Sequence, residues 1–293
     1  MRIALLLLVA LLSACQASLP ALPAWQSPVG LEHAELGQIV ELRSGARLTP
    51  QQLLERLSAA PRVLVGERHD NPDHHALQLW LLRTLPTQRE QGSLLLEMLT
   101  PDQQARVDQQ RVASAAGQES PDLLNALAWQ RGWAWSLYGP LVRHALAQPY
   151  PLLAANLDRS EIMRIYAQVP TLEGKASTAQ PVREALAVQI RESHCNLLPE
   201  SQLPAMLAVQ QQRDRRMAEA VLAAPQPSLL FAGAFHVRRD LGVPLHLADL
   251  GGADGTQVLI LAEVGETVSA ASADYVWYTP AQPEQDHCAK LRP

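Results

Sequence analysis

Five short apolar runs, separated by segments of helix length, constrain this fold more than any other feature. They are Arg62-Val63-Leu64-Val65-Gly66, Ser93-Leu94-Leu95-Leu96-Glu97, Pro151-Leu152-Leu153-Ala154-Ala155, Ser228–Gly233 and Thr256–Val264. They lack the apolar–polar alternation of a half-exposed strand, so each reads as a strand buried on both faces. Residues 36–42 read as a further short strand. Thr49-Pro50 opens a helix over 49–59, and Asn71-Pro72-Asp73 precedes one over His74–Leu85. Residues 101–113 and 121–147 are helical, with a break expected near Gly139-Pro140. A helical region spans about 159–224 and includes Pro181–Glu192 and Pro199–Ala223. The pattern predicts an α/β fold: a mostly parallel central sheet flanked by helices, with a helical lobe inserted or appended.

The N-terminus reads as an address. Arg2 precedes an apolar run from Ile3 to Leu12, followed by Leu12-Ser13-Ala14-Cys15. The run is too short to span a bilayer, which needs about 20 apolar residues. It looks like a bacterial lipoprotein signal over 1–14, with Cys15 as the lipidated residue. Gln16 in place of an aspartate favours the outer membrane, with the protein facing the periplasm. Residues 15–30, which include Pro20, Pro23 and Pro28, read as a tether. Residues 31–280 form a single α/β domain, and 281–293 a C-terminal tail.

A net charge of −5 and the lack of a basic tract exclude a nucleic-acid partner. Cys195 and Cys288 remain once Cys15 is set aside. An oxidising compartment permits a disulfide between them, and their separation in sequence leaves that pairing open.

The apolar runs end in polar residues: Glu67 and His69 after the first, Glu97 at the second, Asn156 after the third, His236 after the fourth. In a parallel sheet these ends share one rim, where ligands bind. Carboxylates and imidazoles together there suit either a divalent metal that activates water or the holding of a ligand. His74 and His75 are weaker candidates, while His33, His246 and His287 lack comparable context.

A second polar–aromatic stretch is Trp129-Gln130-Arg131-Gly132-Trp133-Ala134-Trp135-Ser136-Leu137-Tyr138. On a continuous helix Trp135 and Tyr138 share a face, and Trp129 and Trp133 share another. Such a surface suits a flat apolar ligand, and a phenolate can ligate ferric haem. Plain core packing is the alternative. Farther on, Gln211-Gln212-Arg213-Asp214-Arg215-Arg216-Met217 puts Arg213, a candidate partner for propionates, on one face with Met217.

Together, GERHDNPDHH, LLLEM, the Trp-rich run ending in WSLYGP, AANLDR, QRDRRMA and GAFHVRRDLGVP resemble the ChaN family of iron-regulated haem-binding lipoproteins. They occur in the family's order over about residues 60–245. The family is similar in fold to the Tiki proteases and erythromycin esterases, whose Gly-Glu-x-His motif Gly66-Glu67-Arg68-His69 fits. The resemblance implies haem and iron uptake, with ferric protoporphyrin IX as cofactor. It implies a homodimer that stacks two haems at its interface, and an outer-membrane haem receptor as a further partner. It also implies a tyrosine on iron with a histidine nearby. That ligand role is carried onto Tyr138, with Tyr150, Tyr166, Tyr275 and Tyr278 as rivals. Trp135, His69, His236 and Arg213 complete the expected haem site. The alternative is a metal-dependent or Glu/His-dependent periplasmic hydrolase built on Glu67, His69, Glu97 and His236.

Overall fold

The computed structural model describes residues 19–286 and 288–289. Cys15, the residue expected to carry lipid, lies outside them, as does His287. Eight strands form one sheet: β1 (Ile39–Glu41), β2 (Ala46–Leu48), β3 (Arg62–Glu67), β4 (Ser93–Leu96), β5 (Leu152–Ala154), β6 (Ser228–Gly233), β7 (Thr256–Glu263) and β8 (Tyr275–Thr279). Their order is β2-β1-β8-β7-β3-β6-β4-β5. Pairing is parallel from β5 through to β8, and antiparallel where β1 joins β8 and β2.

The flanking helices are α1 (Pro50–Ser58), α2 (Pro72–Thr84), α3 (Gln104–Ala115), α4 (Leu123–Ala126) and α5 (Trp135–Leu146). They continue with α6 (Arg159–Ala167), α7 (Gln180–Ser193), α8 (Leu203–Ala223), α9 (Ala234–Val237) and α10 (Val243–Asp249). The result is the expected mixed α/β fold, with a largely parallel sheet, flanking helices and an inserted helical lobe.

Period-two geometry explains why the strand runs are apolar throughout. In β3, Val63 and Val65 join one core, with Leu54, Leu81 and Leu141, while Leu64 joins the other, with Met217 and Leu247. β4 and β6 divide in the same way: Leu94, Leu96, Leu229 and Phe231 lie on one side, Leu95, Leu230 and Ala232 on the other. Both faces are covered by helices, so neither has room for a polar residue.

The structure departs from the sequence expectations in several places. β2 and β8 are additional strands. β8 is a buried Tyr-Val-Trp-Tyr-Thr run that follows β7 without an intervening helix. The region 121–147 is not one helix, because residues 127–134 form a connection between α4 and α5. Trp129 and Trp133 lie in that connection, and the Trp129 indole donates to the Trp133 carbonyl at 2.9 Å. The expected break at Gly139-Pro140 is absent, and α5 runs through Pro140 at the cost of one backbone hydrogen bond.

The stretch read as a tether is docked from Leu19 onward. Trp80 Nε1 donates to the Pro20 carbonyl, Asp73 accepts from the Gln26 and Ser27 amides, and Val29 bridges to Ala281. Cys195 and Cys288 form a disulfide, which pins the end of α7 to the C-terminal segment.

Candidate functional site

The register of three parallel strands assembles the site. Glu67 of β3 lies opposite Gly233 of β6, and Leu96 of β4 opposite Phe231. The residues that follow these positions therefore meet at one rim, and Glu67, His69, Glu97, Asn156 and His236 converge there as expected. Asn156 donates from Nδ2 to the Glu97 carbonyl at 2.9 Å, which fixes the backbone beside the carboxylate.

Two polar clusters face each other. In the first, Glu67 Oε1 meets His69 Nδ1 at 2.6 Å and accepts from the Tyr138 hydroxyl at 2.9 Å. Glu67 Oε2 is buried without a partner. In the second, Glu97 accepts from the Gly233 amide at 2.7 Å and lies 3.3 Å from His236 Nε2. His236 Nδ1 bonds Asp214 on α8, and Gln210 Nε2 lies 3.1 Å from the same nitrogen. Gly233 separates the clusters: a Cβ there would stand 2.9 Å from His69 Cε1.

Burial opposes charge on His236, but Glu97 and Asp214 outweigh it and hold the imidazole up at about 10. Burial also opposes charge on Glu97, and His236 holds that carboxyl down at about 2. His69 is raised too: burial works against the cation, and the Glu67 hydrogen bond and charge, aided by Glu97, overcome it. The rim therefore holds an imidazolium at His236 between Glu97 and Asp214, and beside it a second imidazole, His69, whose charged form is favoured by Glu67.

The cleft in front of them has a volume of about 740 Å³. It is lined by Glu67, His69, Gly233 and His236, by the apolar Phe235, Ile260 and Val268, and by Arg68 and Arg238, which are ion-paired with Glu263 and Asp240. The His69 side chain is 44% exposed, and Phe235 is 51% exposed. This mixture of apolar and polar groups suits an organic ligand with polar substituents. Among the described residues, no group of three or more His, Cys, Asp or Glu is arranged to hold a metal ion.

Several predicted residues stand elsewhere. Tyr138 is 1% exposed and sits behind Glu67, not on the cleft wall. Burial and the adjacent Glu67 push its phenol far above the usual range, so it is a neutral donor here. Trp135 packs on Trp129 with ring centroids 5.1 Å apart, also away from the cleft. Trp133 is the tryptophan that touches the site, edge-on to His69 at 4.9 Å. Arg213, half-buried on α8, does not line the cleft.

His74 and His75 are structural. His74 Nδ1 accepts from the Arg68 amide and its Nε2 meets Thr279 Oγ1, while His75 Nε2 meets the His69 carbonyl. Asn71 caps α2 and donates to Glu263. Much of the motif that begins at Gly66 therefore builds the turn that carries His69.

Sequence reasoning missed Asp214, Gln210 and Phe235. Asp214 is the one with a readable signal: a lone acid among three arginines on an otherwise buried helix face.

The family model for haem-binding uptake proteins of the Tiki superfamily, ChaN, matches residues 53–247. The fold is similar to a solved structure of cofacial heme binding to ChaN of Campylobacter jejuni. Identity is 30%, coverage 82% of this chain and 95% of that one, and the TM-score 0.75. An erythromycin esterase mutant in its open conformation is 14% identical, with 82% and 81% covered and a TM-score of 0.46. No curated protein sequence matches. With 195 consecutive positions inside the family model and a ChaN structure matched over most of both chains, this chain belongs to the ChaN family of haem-binding uptake proteins.

Proposed function

We propose that this protein binds ferric haem for iron acquisition, as a lipoprotein anchored through Cys15 to the outer membrane and facing the periplasm. The observation that carries the reading is the exposed His69 imidazole lining a cleft with an apolar wall, in a chain of this family. His69 would face the iron, Phe235 and Val268 would meet the porphyrin, and Arg68 and Arg238 would meet its carboxylates by exchanging them for Glu263 and Asp240. The haem supplies a redox-active iron, and the protein's own residues bind and orient it.

Access favours one tyrosine as the ligand. Tyr138, Tyr150, Tyr275 and Tyr278 are buried, whereas Tyr166 on α6 is 40% exposed. Its hydroxyl contacts Met206, one turn along α8 from Gln210, which lines the cleft. Tyr138 reaches iron only by giving up Glu67, so Tyr166 is the better ligand. Exposed Met163 and Val169 flank Tyr166 and support a second copy seated there, with haems stacked between the two. An outer-membrane haem receptor is the partner such a protein would serve.

The test is titration of protein beginning at Gln16 with ferric haem, with absorption and molecular size followed together. The expected result is a shifted Soret band, a tyrosinate-to-iron charge-transfer band lost in Tyr166→Phe and kept in Tyr138→Phe, and a dimer. An unchanged haem spectrum sinks the proposal.

The Asp214–His236–Glu97 array favours a second reading, a Glu/His-dependent periplasmic hydrolase, because a carboxylate-braced imidazole suits proton transfer. Turnover of model esters or amides that is lost in His236→Gln would establish it; no turnover with or without added divalent metal rejects it.

A further inference from the structure

Tyr138 is an unusual phenol to find in a core. Its hydroxyl donates not to a carbonyl but to a buried carboxylate, Glu67, at 2.9 Å, with His69 Nδ1 farther off at 3.3 Å. Its ring is framed by Trp133 and Trp129, each with its centroid 6.0 Å away. Trp133 continues to His69 at the cleft, 4.9 Å on, and Trp129 continues to the half-exposed Trp135, 5.1 Å on. An unbroken aromatic path therefore runs from the ligand cleft to the outer surface, and a phenol with a built-in proton acceptor stands at its midpoint.

We infer that Tyr138 and Glu67 form a proton-coupled one-electron donor to an oxidised group in the cleft. An oxidised phenol is a strong acid, so a buried tyrosine gives up an electron readily only where its proton has somewhere to go. One electron leaves the Tyr138 ring through Trp133 to the oxidant, which is reduced by one electron. The O–H bond breaks and the proton passes to Glu67 Oε1, leaving a neutral phenoxyl radical and a neutral carboxylic acid. An electron that enters from a one-electron reductant of the enediol class, such as ascorbate, through Trp135 and Trp129 restores the phenol, and the proton returns from Glu67. The oxidant class is a cleft-bound haem oxidised by peroxide, so this physiological role rests on the haem reading; the donor pair itself does not.

The experiment uses haem-free protein in a Tyr166→Phe background, oxidised by a photogenerated trivalent ruthenium polypyridyl complex. Radicals are read by electron paramagnetic resonance and transient absorption. The expected result is a tyrosyl radical that vanishes in Tyr138→Phe, with the signal moving to tryptophan. Glu67→Gln keeps the phenol but removes the nearer proton acceptor, and it should slow radical formation by about tenfold or more. Trp135→Phe should slow repair of the radical by an added reductant. A tyrosyl signal that persists in Tyr138→Phe, or a formation rate unchanged in Glu67→Gln, overturns the inference. Because no haem is present, either outcome is independent of haem binding.

Discussion

Replacing His236 by glutamine removes the cation that lies between Glu97 and Asp214, and the response to pH is worked out from the structure. All three side chains are buried. Glutamine keeps a hydrogen-bond donor but no charge, so two carboxylates are left in the core without a counter-ion. Breaking such a pair costs about 3–5 kcal/mol. The same figure is approached from His236 itself. Its rise from 6.5 to about 10 sets a ceiling of about 5 kcal/mol, shared with its two partners.

Because the folded value is raised, the contribution of His236 is complete below pH 6.5 and is lost as the pH rises through about 10. Glu97 is depressed, so its contribution is complete above 4.5 and is lost as the pH falls through about 2. The wild-type pair is therefore strongest between these limits, from 4.5 to 6.5. In His236→Gln the orphaned carboxylates are pushed upward by burial and take up protons in mild acid. The deficit relative to wild type should be greatest near neutrality and should narrow in both directions. Urea unfolding of both proteins across this pH range measures it. A deficit below about 1 kcal/mol near neutral pH, or one that does not change with pH, refutes the assigned charges.

Three other changes have distinct readouts. In Gly233→Ala the new methyl meets the exposed end of His69, which can swing outward. Stability should fall by about 1 kcal/mol or less while the haem-induced spectral change weakens, and a larger stability loss would show that His69 is rigidly held. Replacing Cys195 by serine opens a disulfide spanning 93 positions and should cost about 2–5 kcal/mol in thermal unfolding; an equal loss in wild type under reductant is the control. Asp249 accepts from the Lys175, Ala176 and Ser177 amides and from the Ser177 hydroxyl, and these bonds hold its carboxyl at about 2. Asp249→Ala should make residues 168–179 the first site of proteolysis while the sheet survives, and an unchanged cleavage pattern would refute the anchoring role.

The parallel sheet was legible because every central strand is wedged between two helix layers and shows it as an unbroken apolar run. The rim residues followed from the strand ends, since parallel strands bring their carboxyl ends to one side. What escaped notice depended on three-dimensional partners. β8 carries a clear aromatic and β-branched run, but its connection from β7 has no helix to mark a crossover. Tyr138 looks like a surface ligand when its neighbours are read along a helix. In the fold, Trp129 and Trp133 sit on a loop that closes over it and turns the phenol inward to Glu67. Arg213 is the conspicuous charge in the sequence, whereas Asp214, its immediate neighbour, points to His236 because each helical residue turns about 100° from the last.

On a protein lipidated at Cys15, the docked N-terminal segment would set a standoff distance. A free leash from Cys15 to residue 30 would let the body wander by roughly 50 Å from its lipid. With packing already established at Leu19, only four peptide steps remain, a reach of about 14 Å. With acyl chains on Cys15, the face around Pro20 and Trp80 would ride close against the headgroups. The bearing of the cleft relative to the bilayer would then be set by the fold itself, and any donor or acceptor of its cargo would have to approach from a limited range of directions.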